Sequence, residues 1–465
     1  MRKKKQNSQS PLALEALGKH FGKTLLSNLV AASRTFPVTS RADLQHALEK
    51  IFSATYQARL IGIHPQYSHE PLSTAHLVTE GHYPVLVGPL QQDEVDVGGP
   101  SPARCLRHGL WMGRVNKLPF AILLTPAHRF GQELGVHIEV AVPPGEEGAT
   151  FSRAFFRQLE EMVNRAGTYK GKVISLEVID RYSGHSGAIK VHRLRTVQRG
   201  EVILPASTLE LLDRNVSEFI KQREKLQRLG MPVKKGLLFY GPPGTGKTHT
   251  IHYLASQLKD HTTLLITAEQ VGLLGTYMQL ARFLQPAMVV IEDVDLIARD
   301  REHMHGPCDE SLLNKLLNEM DGLREDASIL FVLTTNRPEQ LEAALASRPG
   351  RVDQAIEFPL PDEEGRHKLI ELYARGLAVD DVLVKRTIKK TRHASAAFIK
   401  ELMRRSAQYY IEENQPGSLQ QKHIDSALEE MLFSGGTLNL KLLGADAAIA
   451  EPEIESEEID TQYRN

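Results

Sequence analysis

Cysteine is nearly absent from this 465-residue chain, which has only Cys105 and Cys308. Two thiols cannot build a disulfide framework, which excludes the disulfide-dense secreted folds and fits a reducing cytosol. A charge excess is missing as well. Lysine and arginine number 56 against 57 acidic residues, a formal net charge of −1, so the global balance gives no pointer to nucleic acid. No run approaches the ~18 apolar residues that cross a bilayer. No apolar segment follows directly on the basic Met1-Arg2-Lys3-Lys4-Lys5, so this start reads as a solvated tail and not as a secretory signal. Internal repeats are lacking. His69-Glu70 has no histidine three residues later, which removes a zinc-protease helix. What remains is a globular chain, 41% hydrophobic and 24% charged, with room for two or three domains. It is expected in the cytoplasm, without a membrane span.

The most informative stretch that is present is Gly241-Pro242-Pro243-Gly244-Thr245-Gly246-Lys247-Thr248. It follows a short apolar run, Gly236 to Tyr240, and precedes a stretch of helical periodicity from Thr250 to Ala255. A strand, a glycine-rich loop and a helix in that order are what a phosphate-binding loop requires. The glycines let successive backbone N–H groups turn toward a polyphosphate at the positive end of a helix. Lys247 is placed to reach the β and γ phosphates, and the Thr248 hydroxyl to ligate Mg²⁺. Gly241, Pro242, Pro243, Gly244, Thr245, Gly246, Lys247, Thr248 and His249 are therefore the expected nucleotide contacts. ATP and Mg²⁺ are the expected cofactors.

Around this loop the texture is α/β. Strands are expected at 236–240, 262–267, 287–292, 328–334 and 354–358, with helical patterns between them, which argues for a parallel sheet covered on both faces. Three helical stretches, near 363–375, 395–413 and 419–433, form a small lid. The expected organisation is a basic tail (1–10), an α+β recognition domain (11–200), an α/β ATPase core (201–361), the helical lid (362–436) and an acidic tail (437–465). In the first half, Leu14 to Val30 and Leu44 to Ile51 read as helices, 120–124 and 136–140 as strands, Phe151 to Ala166 as a helix, and Ile189 to Leu194 as a strand with its cations on one face.

Two further strand ends carry chemistry. The apolar run 287–291 ends in Glu292-Asp293, where one carboxylate can serve Mg²⁺ and its neighbour can polarise the attacking water. The run 329–335 ends in Asn336, which can orient that water against the γ phosphate. Ser347-Arg348-Pro349-Gly350-Arg351-Val352-Asp353 sets two arginines around a rigid turn, which by themselves read as surface salt-bridge formers, with the γ phosphate bound by a neighbouring subunit as the alternative target.

Taken in order and spacing, these four elements resemble the AAA+ ATPases, and within them the AAA branch. GPPGTGKT resembles the Walker A motif, VVIEDVD the Walker B, TTNRPEQLEAAL the sensor-1 segment and SRPGRVD the arginine-finger segment, over about residues 202–434. The resemblance implies a Rossmann-like P-loop NTPase core with a parallel five-stranded sheet and a C-terminal helical lid. It also implies a homo-oligomeric ring, a hexamer in most members, with ATP at the subunit interfaces. Asn336 becomes sensor 1, and Arg348 and Arg351 act in trans. The usual Walker B ends Asp-Glu. Here Glu292 takes the Mg²⁺ side and Asp293 the catalytic one, with an exchange of roles as the alternative. The inverted order with the following Val-Asp resembles bacterial relatives of the mitochondrial AAA chaperone that assembles respiratory complex III.

The function expected is ATP-driven remodelling of a protein client, with a nucleotide-gated scaffold or a nucleic-acid remodeller as rivals. The nucleic-acid reading rests on Lys190, His192, Arg193, Arg195 and Arg199, for which a solvated strand face is the simpler account. Threading members carry an aromatic–apolar–Gly loop. The nearest match is Leu273-Leu274-Gly275 with Tyr277, for which helix packing and client grip stand as equal readings. Val202-Ile203-Leu204-Pro205 is expected beside the base.

Overall fold

The computed structural model describes residues 11–66, 72–79, 83–129, 132–177, 189–299, 312–322, 324–341, 351–413 and 418–434. They fall into two compact units. One takes the described residues of Met1–Arg193 with Asp260–Leu264 and Leu273–Ala287. The other takes those of Leu194–Lys259, Leu265–Gly272 and Met288–Asn465. Two stretches from beyond residue 201 thus pack with the N-terminal residues.

The N-terminal strands are β1 (Val30–Pro37), β2 (Ala58–His64), β3 (Leu86–Gly88), β4 (Gln91–Val95), β5 (Ala103–Val115), β6 (Leu118–Arg129) and β7 (Gln132–Val142). They form an antiparallel sheet in the order β1-β7-β6-β5-β2-β3, with β4 paired on β5. Helices α1 (Ala13–Phe21), α2 (Arg41–Lys50), α3 (Thr74–Val78) and α4 (Glu146–Arg165) cover it. The two-residue period of β6 divides the core. Phe120, Ile122 and Leu124 pack with Leu44 and Leu48 of α2 and Phe151, Phe155 and Leu159 of α4. Ala121 and Leu123 pack with Leu17 and Phe21 of α1 and Leu77 of α3.

The alternation of 136–140 predicts one wet face, but Glu139 is buried and accepts the Thr74 amide at the start of α3 at 3.0 Å. A carboxylate there suits the positive end of the short helix. The helix expected from Leu14 to Val30 is shorter. Gly22, at φ +63°, ends α1 by returning its N–H to Gly18, and Val30 opens β1. Strand β5 was not foreseen from its pattern. Leu106 and Trp111 serve one core layer and Leu110 and Met112 the other, so its apolar residues fall on both faces and show no clean alternation.

Further along lie β8 (Val173–Leu176), β9 (Ile189–His192), α5 (Ala206–Asp213), α6 (Phe219–Arg228), β10 (Lys235–Tyr240), α7 (Lys247–Gln257), β11 (Thr262–Ile266), α8 (Leu274–Phe283), β12 (Ala287–Ile291), α9 (Val294–Arg299), α10 (Leu312–Asp321), β13 (Ile329–Thr335) and β14 (Gln354–Glu357). All five expected segments are strands. Within the second unit the order is β14-β10-β13-β12, and β10 runs parallel to both β13 and β14. Every residue of β12 and β13 is buried, which is why these runs are apolar as far as Thr334 and Thr335, whose hydroxyls are hydrogen-bonded. Within the first unit, β11 gains a parallel neighbour in β8, and β9 pairs antiparallel beyond it. Four residues, Val-Ile-Ser-Leu, are too few to announce β8 by periodicity.

The segment expected as a lid has α11 (Glu363–Tyr373), α12 (Asp381–Lys390), α13 (Ala396–Glu412) and α14 (Gln421–Glu429) around Leu369, Ile388, Phe398, Leu402 and Ile424. Asp362, Asp380 and Ser395 cap the first three, each accepting a backbone N–H with its side chain. Helix α12 adds to the three expected. Its short, lysine-rich sequence with two β-branched valines hides it, and the Asp380 cap is its clearest signal. Among the described residues no helix is long and apolar enough to cross a membrane.

Candidate nucleotide site

Strand β10 delivers the chain into the glycine-rich loop, where Gly241, Gly244 and Gly246 take φ values of +142°, +76° and +102°. Side chains resist this region, so the glycine spacing of the sequence is a backbone requirement. A Cβ on Gly244 would also lie 2.8 Å from Ser395 Oγ and 3.0 Å from Ala397 Cβ. The lid meets the loop directly, since Ala397 N donates to Gly244 O at 3.1 Å. Helix α7 starts at Lys247 and aims its unsatisfied N–H groups at the loop's concave side. The Lys247 ammonium is buried and donates to Gly241 O at 2.7 Å and Pro242 O at 2.9 Å. Burial pushes its pKa down to about 8, partly offset by the carboxylates of Asp293 and Asp295.

Beside the loop, Thr248 Oγ1 donates to Glu292 Oε1 at 2.8 Å. A hydroxyl and a carboxylate so placed are hard oxygen donors of the kind Mg²⁺ takes. Asp293 follows with φ +51°, a left-handed conformation that costs a non-glycine residue ~1–2 kcal/mol. Its N–H donates to Thr334 Oγ1 at 3.0 Å, and its Oδ1 accepts Asn336 Nδ2 at 3.1 Å. Asp295, in the first turn of α9, is 4% exposed and accepts Thr335 Oγ1 at 2.8 Å and Asn336 N at 3.4 Å. Sequence reading assigned no role to Asp295. Its position in the first turn after the acidic pair was the available signal.

A cavity of 380 Å³ joins these parts. Residues 243–250 line it with Asp293, Thr334 and Asn336, opposite Val202, Ile203 and Leu204, the segment expected beside the base. Leu369 and Tyr373 of α11 and Lys400 of α13 close the lid side, none of them anticipated. His249 faces the Glu201 carbonyl at 3.2 Å, tying the start of α7 to the base-side segment, and burial lowers its pKa. Gly241 and Pro242 act through the carbonyls that hold Lys247.

Other expected groups lie elsewhere. Arg351 is nearly buried, ion-paired to Asp321 of its own chain and 3.4 Å from Asn318 Oδ1. Arg348 lies outside the described residues, as do the two expected tails. Leu274 and Tyr277 are core residues, with Tyr277 fully buried and its hydroxyl accepting Leu176 N at 2.7 Å. Of the two readings weighed for this segment, helix packing is the one its side chains adopt. The three arginines of the basic cluster have partners within the chain. Arg193 donates to Gly99 O at 2.9 Å, Arg195 pairs with Glu201, and Arg199 pairs with Asp213 at 2.6 Å.

The same part of the chain is similar to known ATPases. A family model described as "ATPase family associated with various cellular activities (AAA)" matches residues 237–360, which run from β10 past β14. The chain is 31% identical over 201 residues to the cell division cycle protein 48 homolog of Archaeoglobus fulgidus, covering 41% of this chain and 27% of that protein. It is 34% identical over 212 residues to the proteasome-activating nucleotidase of Methanopyrus kandleri, covering 43% and 48%. An ATP-dependent zinc metalloprotease FtsH of Cutibacterium acnes matches at 30% over 230 residues, covering 47% and 32%. The chain spans between about a quarter and a half of the length of these relatives.

Proposed function

We propose that this chain, which carries an AAA ATPase domain over residues 237–360, binds and hydrolyses ATP in a ring and uses the cycle to remodel a protein client. The observation that carries the reading is one cavity lined by Lys247, Thr248, Asp293 and Asn336, with Glu292 held on Thr248. The loop N–H groups and Lys247 bind the phosphates, and the lysine exchanges loop carbonyls for phosphate oxygens. Thr248 and Glu292 would hold Mg²⁺, which supplies charge neutralisation at the phosphates. Asp293 orients and polarises the attacking water, with Asn336 fixing its carboxylate. Arg348 and Arg351 complete the site of a neighbouring copy, Arg351 after release from Asp321.

The hexamer, the cytoplasmic setting and the choice of client by residues 11–200 belong to the same proposal. So does kinship with bacterial relatives of the complex III assembly chaperone, supported by the Glu292-Asp293 order. Grip on the client falls to groups other than Leu274 and Tyr277. Steady-state ATPase rates of wild type, Asp293→Asn and Arg348→Ala test the proposal. Both variants should lose turnover by ~100-fold or more while the chain still binds ATP. A wild type with negligible turnover, losing only assembly in Arg348→Ala, would make the protein a nucleotide-gated scaffold.

A further inference from the structure

We infer that Asp295 is a positioning residue for hydrolysis, acting through Thr335 to hold Asn336 in register with Asp293. The inference rests on the ATPase reading above and deepens it. A buried carboxylate needs hydrogen bonds to offset its lost hydration, and Asp295 takes its two from a single place, the tail of β13. Thr335 Oγ1 donates to Asp295 and accepts the Arg337 amide at 2.9 Å, so one hydroxyl fixes the turn on both sides of Asn336.

The neighbouring pair of bonds runs in both directions. Asp293 N donates to Thr334 Oγ1, and Asn336 Nδ2 returns to Asp293 Oδ1. The tails of β12 and β13 are therefore cross-linked alternately, Asp293 with Thr334, Asp295 with Thr335, and both acids with Asn336. Asp295 anchors the Asn336 main chain, and Asp293 receives its side chain. With Asp295 removed, the Asn336 backbone loses its buried acceptor, and its amide is no longer aimed at Asp293. Asp295 does not line the cavity, so its link to the nucleotide is indirect, through β13 and through its charge near Lys247.

The test is a split between binding and turnover. Asp295→Ala is expected to lower kcat by ~10- to 100-fold, the range for a displaced catalytic group, with ATP KM and the Kd of a fluorescent ATP analogue within about twofold of wild type. Asp295→Asn keeps an oxygen acceptor without the charge and should retain kcat within about threefold. Thr335→Val should match Asp295→Ala, and the double variant should lose no more than either single change.

If Asp295→Ala does not fold, Asp295→Asn and Thr335→Val carry the test. Normal kcat in Thr335→Val overturns the inference. Additive losses in the double variant overturn it too. A loss of melting temperature, affinity and kcat together in Asp295→Asn would do the same, because that pattern is structural. A wild type that turns over no ATP overturns the ATPase reading and this inference with it.

Discussion

Two short segments carry sequence signals for contact with something outside the chain, residues 241–249 and residues 273–277. In the first, Lys247 and Thr248 line a cavity and three glycines take the backbone through conformations that other residues rarely adopt. In the second, Leu274 and Tyr277 are packed away, and the phenol of Tyr277 holds the Leu176 amide. A phosphate loop works through its main chain, so its sequence specifies its shape. A gripping aromatic works only if its ring is exposed, and exposure depends on what packs around it.

That contrast can be broken at either segment. The largest expected effect is on folding stability. Tyr277→Ala should cost ~3–5 kcal/mol in chemical denaturation, as for other buried aromatics. Tyr277→Phe should cost ~1–3 kcal/mol through the unsatisfied Leu176 amide. If both variants melt like wild type and only client handling suffers, Tyr277 is a surface grip and the contrast fails.

Next in size is Lys247→Ala, expected to weaken ATP binding by ~100-fold or more in calorimetry, since charge-assisted bonds to phosphate are worth ~1.5–3 kcal/mol each. Affinity within a few-fold of wild type would refute the reading of the loop. Asn336→Ala sharpens the same side. Turnover should fall ~10- to 100-fold with ATP affinity nearly unchanged, measured as kcat beside a binding isotherm.

The smallest effect is in the lid. Glu401 accepts hydrogen bonds from Arg404 and Arg405, which hold its pKa at about 2 against an ordinary 4.5. A depressed carboxylate adds stability that is full above the unfolded value and disappears as pH falls through the folded one. The melting-temperature difference between wild type and Glu401→Gln should therefore be widest above pH about 4.5 and close toward pH about 2. A constant difference across that window would place the stabilisation elsewhere.

Much of the nucleotide half was legible because its demands are local. Glycine at 241, 244 and 246 answers to backbone angles, and the apolar runs of β10, β12 and β13 answer to burial on both faces. Strand β5 was hidden by that same double burial, since its two faces serve two core layers and no clean alternation survives. The resemblance of SRPGRVD assigns Arg351 to a neighbouring subunit, whereas the residues by themselves read as salt-bridge formers. Asp321, thirty residues earlier in the chain, is what holds it.

From the order of residues alone came the identity of the ligand-binding loop, the strands that feed it and the acids and amide at their ends, because each depends on neighbours a few positions away. Only the folded chain decided that Asp295 belongs with Thr335, that Tyr277 belongs to the core, and that the lid touches Gly244 through Ala397. Those pairings join residues 40 to 153 positions apart, and packing in three dimensions is what brings such groups within bonding distance.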